Sequence, residues 1–272
     1  MNAAEKNGPI LQKGKGMIGI SLAAGTAETL LDDARRAIRQ KPDLIEWRAD
    51  LWEGDPREAL QGQLPARLSE ILGTVPLLYT YRTREEGGRG TLSGKDYKDL
   101  LHLTAHVSEV DLIDVEVLRI DPGTKERSDA EEFPISPETK DLIRKLRQNG
   151  TQIIASSHEW AAMPDTAELE MRLRILMYSE ADAYKIACMA HSEEDVVRFM
   201  EWSKRECRRI DSPLIAIAMG EQGIVSRVCA FETGTALTFA SVGEATAPGQ
   251  ISITHLRQYQ KEHTDAQWEH EE

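Results

Sequence analysis

The chain is poor in cysteine and in aromatic residues, has no long apolar run, and carries no excess of positive charge. Three cysteines occur in 272 residues: Cys188, Cys207 and Cys229. They are odd in number and unevenly spaced, and no CxxC pair is present, so neither a zinc site nor a disulfide framework is indicated. No run approaches the about 20 apolar residues of a membrane span. The opening "MNAAEKNGPILQKGKG" lacks the apolar core of a signal peptide. Lysine and arginine total 33 against 46 aspartates and glutamates, a formal charge of −13. That balance argues against general nucleic-acid or anionic-membrane binding, whose surfaces are usually basic. It leaves room for a small anionic substrate, because a few arginines in a cleft override the global sign. The expectation is a reduced, cytoplasmic protein with no nucleic-acid and no membrane partner.

What is present is the composition of a folded globule, 40% apolar and 29% charged. Eight short β-rich runs recur: "MIGISLA" (17–23), "DLIEWRAD" (43–50), "PLLYTYRT" (76–83), "VDLIDVEV" (110–117), "TQIIASSH" (151–158), "DAYKIACM" (182–189), "PLIAIAMG" (213–220) and "ALTFASVG" (236–243). Most gaps between them have helical spacing, at 26–40, 136–150, 166–180 and 192–207. The stretch 136–150 opens on Ser-Pro and closes on Asn-Gly, start and stop signals for a helix. The gap before the eighth run holds at most a small helix. Eight strands alternating with helices, with no linker-like stretch, predict an α/β protein: a single-domain (β/α)8 TIM barrel. An open doubly wound sheet is the competing architecture, but no glycine-rich phosphate loop follows the first strand. The barrel is expected to span residues 17–262, between a flexible tail at 1–16 and an acidic tail at 263–272.

Side chains alternate along a strand. The bulky sets (Ile45 and Trp47; Leu77, Tyr79 and Tyr81; Ile113, Val115 and Val117) should pack under helices. The opposite sets then face the barrel interior, and their polar members cluster toward the strands' C-terminal ends. Ser21, Glu46, Arg48, Arg82, Asp114, Glu116, His158 and Lys185 come from six runs and would converge at the mouth where active sites of this fold lie. Ala183 and Ala187 flank Lys185 on its own face and leave room for a ligand. A lysine beside other cations and out of water loses affinity for its proton, and its free amine can attack a carbonyl to form a Schiff base. A neighbouring histidine can shuttle protons. The alternative is a buried ion-pair network without chemistry.

These pieces, "EWRAD" (46–50), "YRTREEGG" (81–88), "SSHEW" (156–160), "YKIACM" (184–189), "MGEQGIVSR" (219–227) and "TAPGQI" (246–251), resemble in order and spacing the type I 3-dehydroquinate dehydratase family, from Ser21 to Ile251. The resemblance implies a Schiff-base barrel enzyme that dehydrates 3-dehydroquinate to 3-dehydroshikimate, the third step of the shikimate pathway. It implies no metal or organic cofactor, and a homodimer. By resemblance Lys185 is the Schiff-base lysine, His158 the general acid/base and Glu86 the carboxylate that orients it. Ser21, Glu46, Trp47, Arg48 and Arg82 belong to the substrate-binding set, Arg227 holds the substrate carboxylate, and Thr246 and Gln250 lie on a closing loop. Asp114, Glu116 and Met219 are candidate lining residues. The chain departs from the family pattern at Thr246, where serine is common, and at Glu221 and Ala190, where a basic residue and proline are expected. The competing functions are another Schiff-base barrel enzyme of the aldolase or transaldolase kind, and a barrel that binds without catalysing.

Overall fold

The computed structural model describes residues 8–120, 135–242 and 247–268. Its eight strands are β1 (Met17–Leu22), β2 (Leu44–Arg48), β3 (Leu77–Thr80), β4 (Leu112–Glu116), β5 (Gln152–Glu159), β6 (Ala183–Met189), β7 (Leu214–Met219) and β8 (Leu237–Ala240). Parallel ladders join them in the order β7-β6-β5-β4-β3-β2-β1-β8. Across the remaining seam the Ala236 N–H donates to the Leu214 carbonyl at 2.8 Å. The sheet is therefore a nearly closed parallel barrel with helices around it, the (β/α)8 architecture that the strand rhythm predicted.

One device sets the register of three strand pairs. Asp43, just before β2, donates its N–H to the Ile18 carbonyl at 2.9 Å, and its Oδ2 accepts the Ile18 N–H at 2.8 Å. Asp111 grips Leu77 in the same way, at 3.0 and 2.8 Å, and Asp182 grips Ile153, at 2.9 and 2.8 Å. A short acidic side chain turned back on the backbone thus satisfies an N–H at the start of β1, β3 and β5. The equivalent residue before β8 is Ala236, which keeps the backbone bond and has no carboxylate to offer.

The helices form where amphipathic spacing meets a capping residue. Thr26 caps Ala27–Ile38 in a reciprocal box with Thr29. Ser136 accepts from the Thr139 N–H ahead of Pro137–Leu146, and Gly150, at φ 87°, ends the turn that follows. Asp165 and Ser192 cap Thr166–Tyr178 and Glu193–Arg209. Between β7 and β8 lie two short helices, Ile224–Val228 and Ala230–Thr233. Among the described residues no helix is long and apolar enough to cross a membrane.

Alternation divides the core in two. Ile45, Trp47, Tyr79, Ile113, Val115 and Ile186 face outward against the helices. Leu44, Leu78, Leu112, Ile154, Ala183, Ile215 and Leu237 fill the lower interior of the barrel. Full burial of each large side chain contributes about 1.5–3 kcal/mol. Two boundaries differ from expectation. Residues 8–16 are not a loose tail: Leu11 is 3% exposed and joins the inner cluster, Gln12 and Lys15 form an antiparallel bridge, and the Ile10 N–H reaches Gln152 Oε1 at 3.0 Å. The open lower end of the barrel would otherwise expose its apolar layer to water, and this segment covers it. Residues 1–7 lie outside the described residues. At the other end the last helix, Ile253–Trp268, runs beyond residue 262 into the stretch expected as a tail.

Candidate active site

The upper interior of the barrel opens into a cavity with about 480 Å³ of atom-free space, continuous with solvent at its mouth. Nine of the residues expected at the site line it: Ser21, Glu46, Arg48, Arg82, His158, Lys185, Met219, Arg227 and Gln250. The strand register explains how they meet. Ser21 pairs with Glu46 across β1 and β2. Lys185 lies opposite Ser156 and Ala187 opposite His158, so the histidine stands one inward-facing position above the lysine on the next strand.

Lys185, 5% exposed, donates from Nζ to Asp114 Oδ2 at 3.1 Å and lies 3.9 Å from Glu46 Oε1. Its ammonium is also 4.9 Å from the centre of the Phe239 ring, a cation–π distance. Glu46 is held by hydroxyls on both sides: Ser21 Oγ donates to Oε2, and Thr80 Oγ1 donates to Oε1 at 2.8 Å. Arg48 makes a two-pronged contact with Asp50, at 2.8 and 2.9 Å. That carboxylate also accepts the Arg89 N–H at 3.1 Å, which ties β2 to the loop carrying Glu86.

His158 is anchored by Glu86. The Glu86 Oε2 accepts the His158 backbone N–H at 3.1 Å and lies 2.9 Å from Nδ1. A ring proton on Nδ1 would complete that acceptor and leave the Nε2 lone pair for chemistry. Burial, then Arg82, Lys185 and Arg48, hold the imidazole well below the usual histidine range. A neutral ring at ordinary pH is the state a base requires. Burial, and after it Glu116, raise the Glu86 carboxyl well above its usual range, while Arg82 and Arg119 act in the opposite direction.

Arg82 and Arg227 are both buried arginines, in opposite electrostatic settings. Arg82 reaches Asp114 Oδ1 and Glu116 Oε1, each at 2.8 Å, Ser156 Oγ at 3.2 Å and Glu86 Oε2 at 3.5 Å. Burial opposes its charge, but Asp114, Glu116 and Glu86 outweigh burial and raise its pKa. Burial likewise pushes Asp114 up, but Arg82 and then Lys185 overcome it and hold that carboxyl below the usual range. Arg227 is 2% exposed, and among the described residues no carboxylate pairs with it. One Nη2 bond reaches the Pro248 carbonyl at 3.2 Å, Nε has no partner, and burial alone pushes its pKa down to about 10. A desolvated cation without a counter-ion, facing a cavity, is a receptor for an anion.

Four expected residues do not line the cavity. Glu86 lies behind His158. Asp114 and Glu116 lie beneath and beside Arg82, where they neutralise cations. Trp47 is a correction: it is fully buried on the outer face of β2, edge-on to Tyr79 at 5.3 Å and to Trp52 at 5.9 Å. A strand cannot place three successive side chains on one face, and Glu46 and Arg48 take the inner one. Thr246 lies outside the described residues. Sequence reasoning missed Thr80, Trp160, Ile217, Phe239 and Ala247. Alternation already set Thr80 on the inward face of β3 without singling it out, and extending it along β7 and β8 would have found Ile217 and Phe239. Cys188, on the outer face of β6, is no rival nucleophile, since burial pushes its thiol up to about 12.

The fold and site define a parallel barrel whose mouth holds a buried lysine, a histidine–carboxylate pair and an arginine with no counter-ion among the described residues. Comparison with known proteins narrows this. Residues 18–264 match the family model of type I 3-dehydroquinase. The 3-dehydroquinate dehydratase of Klebsiella pneumoniae is 33% identical over 261 residues, covering 94% of this chain and 97% of its own. That of Enterococcus faecalis is 32% identical over 250 residues, covering 92% and 93%. The type I 3-dehydroquinate dehydratase of Clostridium difficile, solved with covalent modified comenic acid, superposes with a TM-score of 0.81 at 26% identity, covering 94% of this chain and 95% of that one. The chain belongs to the type I 3-dehydroquinase family, an enzyme family of hydro-lyases.

Proposed function

We propose that this protein is a 3-dehydroquinate dehydratase that works through a Schiff base at Lys185. The observation that carries the reading is one cavity holding the Lys185 amine, the His158–Glu86 pair and Arg227, which no carboxylate among the described residues neutralises. A ring ketone bearing a carboxylate needs those three functions. The relative solved with covalent modified comenic acid supports a covalent course.

In this reading Arg227 takes the substrate carboxylate, with the fork geometry that lysine lacks. The free Lys185 amine adds to the ketone carbon. His158 carries the protons by which the carbinolamine loses water, giving an iminium ion. The iminium draws electrons from the adjacent carbon, and His158 Nε2 removes a proton there to give an enamine. The enamine expels the C1 hydroxyl, which leaves as water with the proton held by His158. Hydrolysis of the remaining iminium releases 3-dehydroshikimate and restores the amine. Glu46, Arg48 and Arg82 hold substrate hydroxyls, and Gln250, with Thr246, closes the site from the loop after β8. The place in the shikimate pathway, the cytoplasmic location and the homodimer implied by the family belong to the same proposal. Sedimentation at the 30.5 kDa of one chain would remove the dimer.

The test mixes purified protein with 3-dehydroquinate, without added metal or cofactor, and follows the ultraviolet absorbance of the conjugated enone. Intact mass after borohydride reduction is read in parallel. A rising enone signal and an adduct missing from Lys185→Ala are expected. Turnover by Lys185→Ala would sink the covalent course.

A further inference from the structure

Trp160 is one of the cavity residues that the reaction scheme leaves without a role. It stands two positions beyond His158, so both side chains turn toward the barrel mouth while Glu159 turns out to Arg172, at 2.9 Å. Its indole Nε1–H donates to the backbone carbonyl of Glu86 at 2.6 Å. Glu86 thus meets three nitrogens of a three-residue segment: the His158 backbone N–H and ring Nδ1 at its carboxylate, and the Trp160 indole N–H at its carbonyl. The chain is shaped for this contact. Gly87, next in line, has φ 81°, and a Cβ there would lie 1.9 Å from the indole Cε2, so only glycine lets the ring lie against the backbone. The rest of the loop is tied to β2 by the Arg89 N–H on Asp50 and to β3 by the Thr91 and Leu92 N–H groups on the Tyr81 hydroxyl, at 2.9 and 3.2 Å. The turn Arg84–Glu86 itself is short, and Trp160 is its link to β5 on the backbone side.

We propose that Trp160 is a positioning residue for proton transfer: its indole N–H fixes the Glu86 backbone, and through the Glu86 carboxylate it holds His158 in the Nδ1–H tautomer. This deepens the proposed reaction and rests on it. The wall of the pocket and the orientation of the base are then one object. The ring supplies the wall, and the N–H supplies the orientation.

Trp160→Phe separates them, because phenylalanine keeps an aromatic wall and lacks the donor. A buried carbonyl deprived of its donor loses on the order of a five- to thirtyfold preference for one geometry. Trp160→Phe should therefore lower kcat about five- to thirtyfold and leave KM within about twofold. In protein carrying nitrogen-15 histidine, the signals that vanish in His158→Gln identify the ring. They should report a single Nδ1–H tautomer in the native protein and a mixture in Trp160→Phe. A change confined to KM, or a single tautomer in Trp160→Phe whatever its kcat, would overturn the proposal and leave the indole as wall only. The tautomer is read without substrate. If the native protein fails to dehydrate 3-dehydroquinate, the reaction assignment falls, while the nitrogen-15 spectra still decide whether the indole orients His158.

Discussion

Two sides of the same cavity treat a buried arginine in opposite ways. On the β3–β4 side Arg82 is enclosed by Asp114, Glu116 and Glu86, which hold its charge in place. On the β7–β8 side Arg227 is as deeply buried, and among the described residues it has only the Pro248 carbonyl. The first side is charge-balanced without a ligand and serves as electrostatic ground for the lysine and histidine. The second side is left incomplete at the expense of stability, and an incoming anion completes it. The contrast shows where a protein spends folding energy and where it holds back interaction energy for its ligand.

Four experiments break or sharpen that contrast. The largest effect is expected at the lysine itself: Lys185→Ala should lower kcat on the order of 10⁵–10⁶-fold, the scale of losing a covalent nucleophile, with no borohydride-trapped mass. The arginines should then part in sign. Arg82→Met strands three buried carboxylates and should cost about 3–5 kcal/mol in urea unfolding. Arg227→Met removes an uncompensated charge and should raise Tm by roughly 2–4 °C, while weakening substrate by about 2–5 kcal/mol, read as KM. Equal destabilisation by both substitutions would erase the distinction between the two sides.

His158 gives a subtler readout. Burial and the surrounding cations depress its folded-state pKa, so the unfolded chain takes up a proton at a higher pH than the native one. The associated stability is complete above the ordinary histidine value, about 6.5, and drains away as pH falls from there to the folded-state value. His158→Gln should flatten that part of the Tm–pH curve, and the acid limb of native kcat/KM should lie below about 6.5. An acid limb above that value would contradict a depressed histidine. In the same variant the lysine adduct should still form, slowly, while dehydration falls roughly 10²–10⁴-fold.

Much of this was legible in the sequence because a strand's two-residue period is rigid. It separated Glu46 and Arg48 from Ile45, and Arg82 from Tyr81, before any coordinates. The same rule should have decided Trp47, whose place in a matching motif outweighed its parity; the packing against Tyr79 shows the parity to be correct. Other features depend on contacts that spacing cannot express. Leu11 is one leucine in a polar stretch, and its burial depends on a hole made by eight distant strands. That no carboxylate among the described residues stands beside Arg227 is a property of an absence, which no motif encodes. Trp160 acts through a hydrogen bond 74 positions away in sequence.

The aspartate latches under the barrel have a consequence in time. Asp43, Asp111 and Asp182 each cover an amide at the foot of an odd strand, those of Ile18, Leu77 and Ile153. Ala236 gives the Leu214 amide no such cover. In deuterium the first three amides should outlast the fourth, because their release requires a carboxylate to let go before the backbone can open. Opening of the barrel should therefore begin along the seam between β7 and β8, below the two segments that carry Arg227 and Gln250. The half of the molecule that waits for its anion is also the half that breathes first.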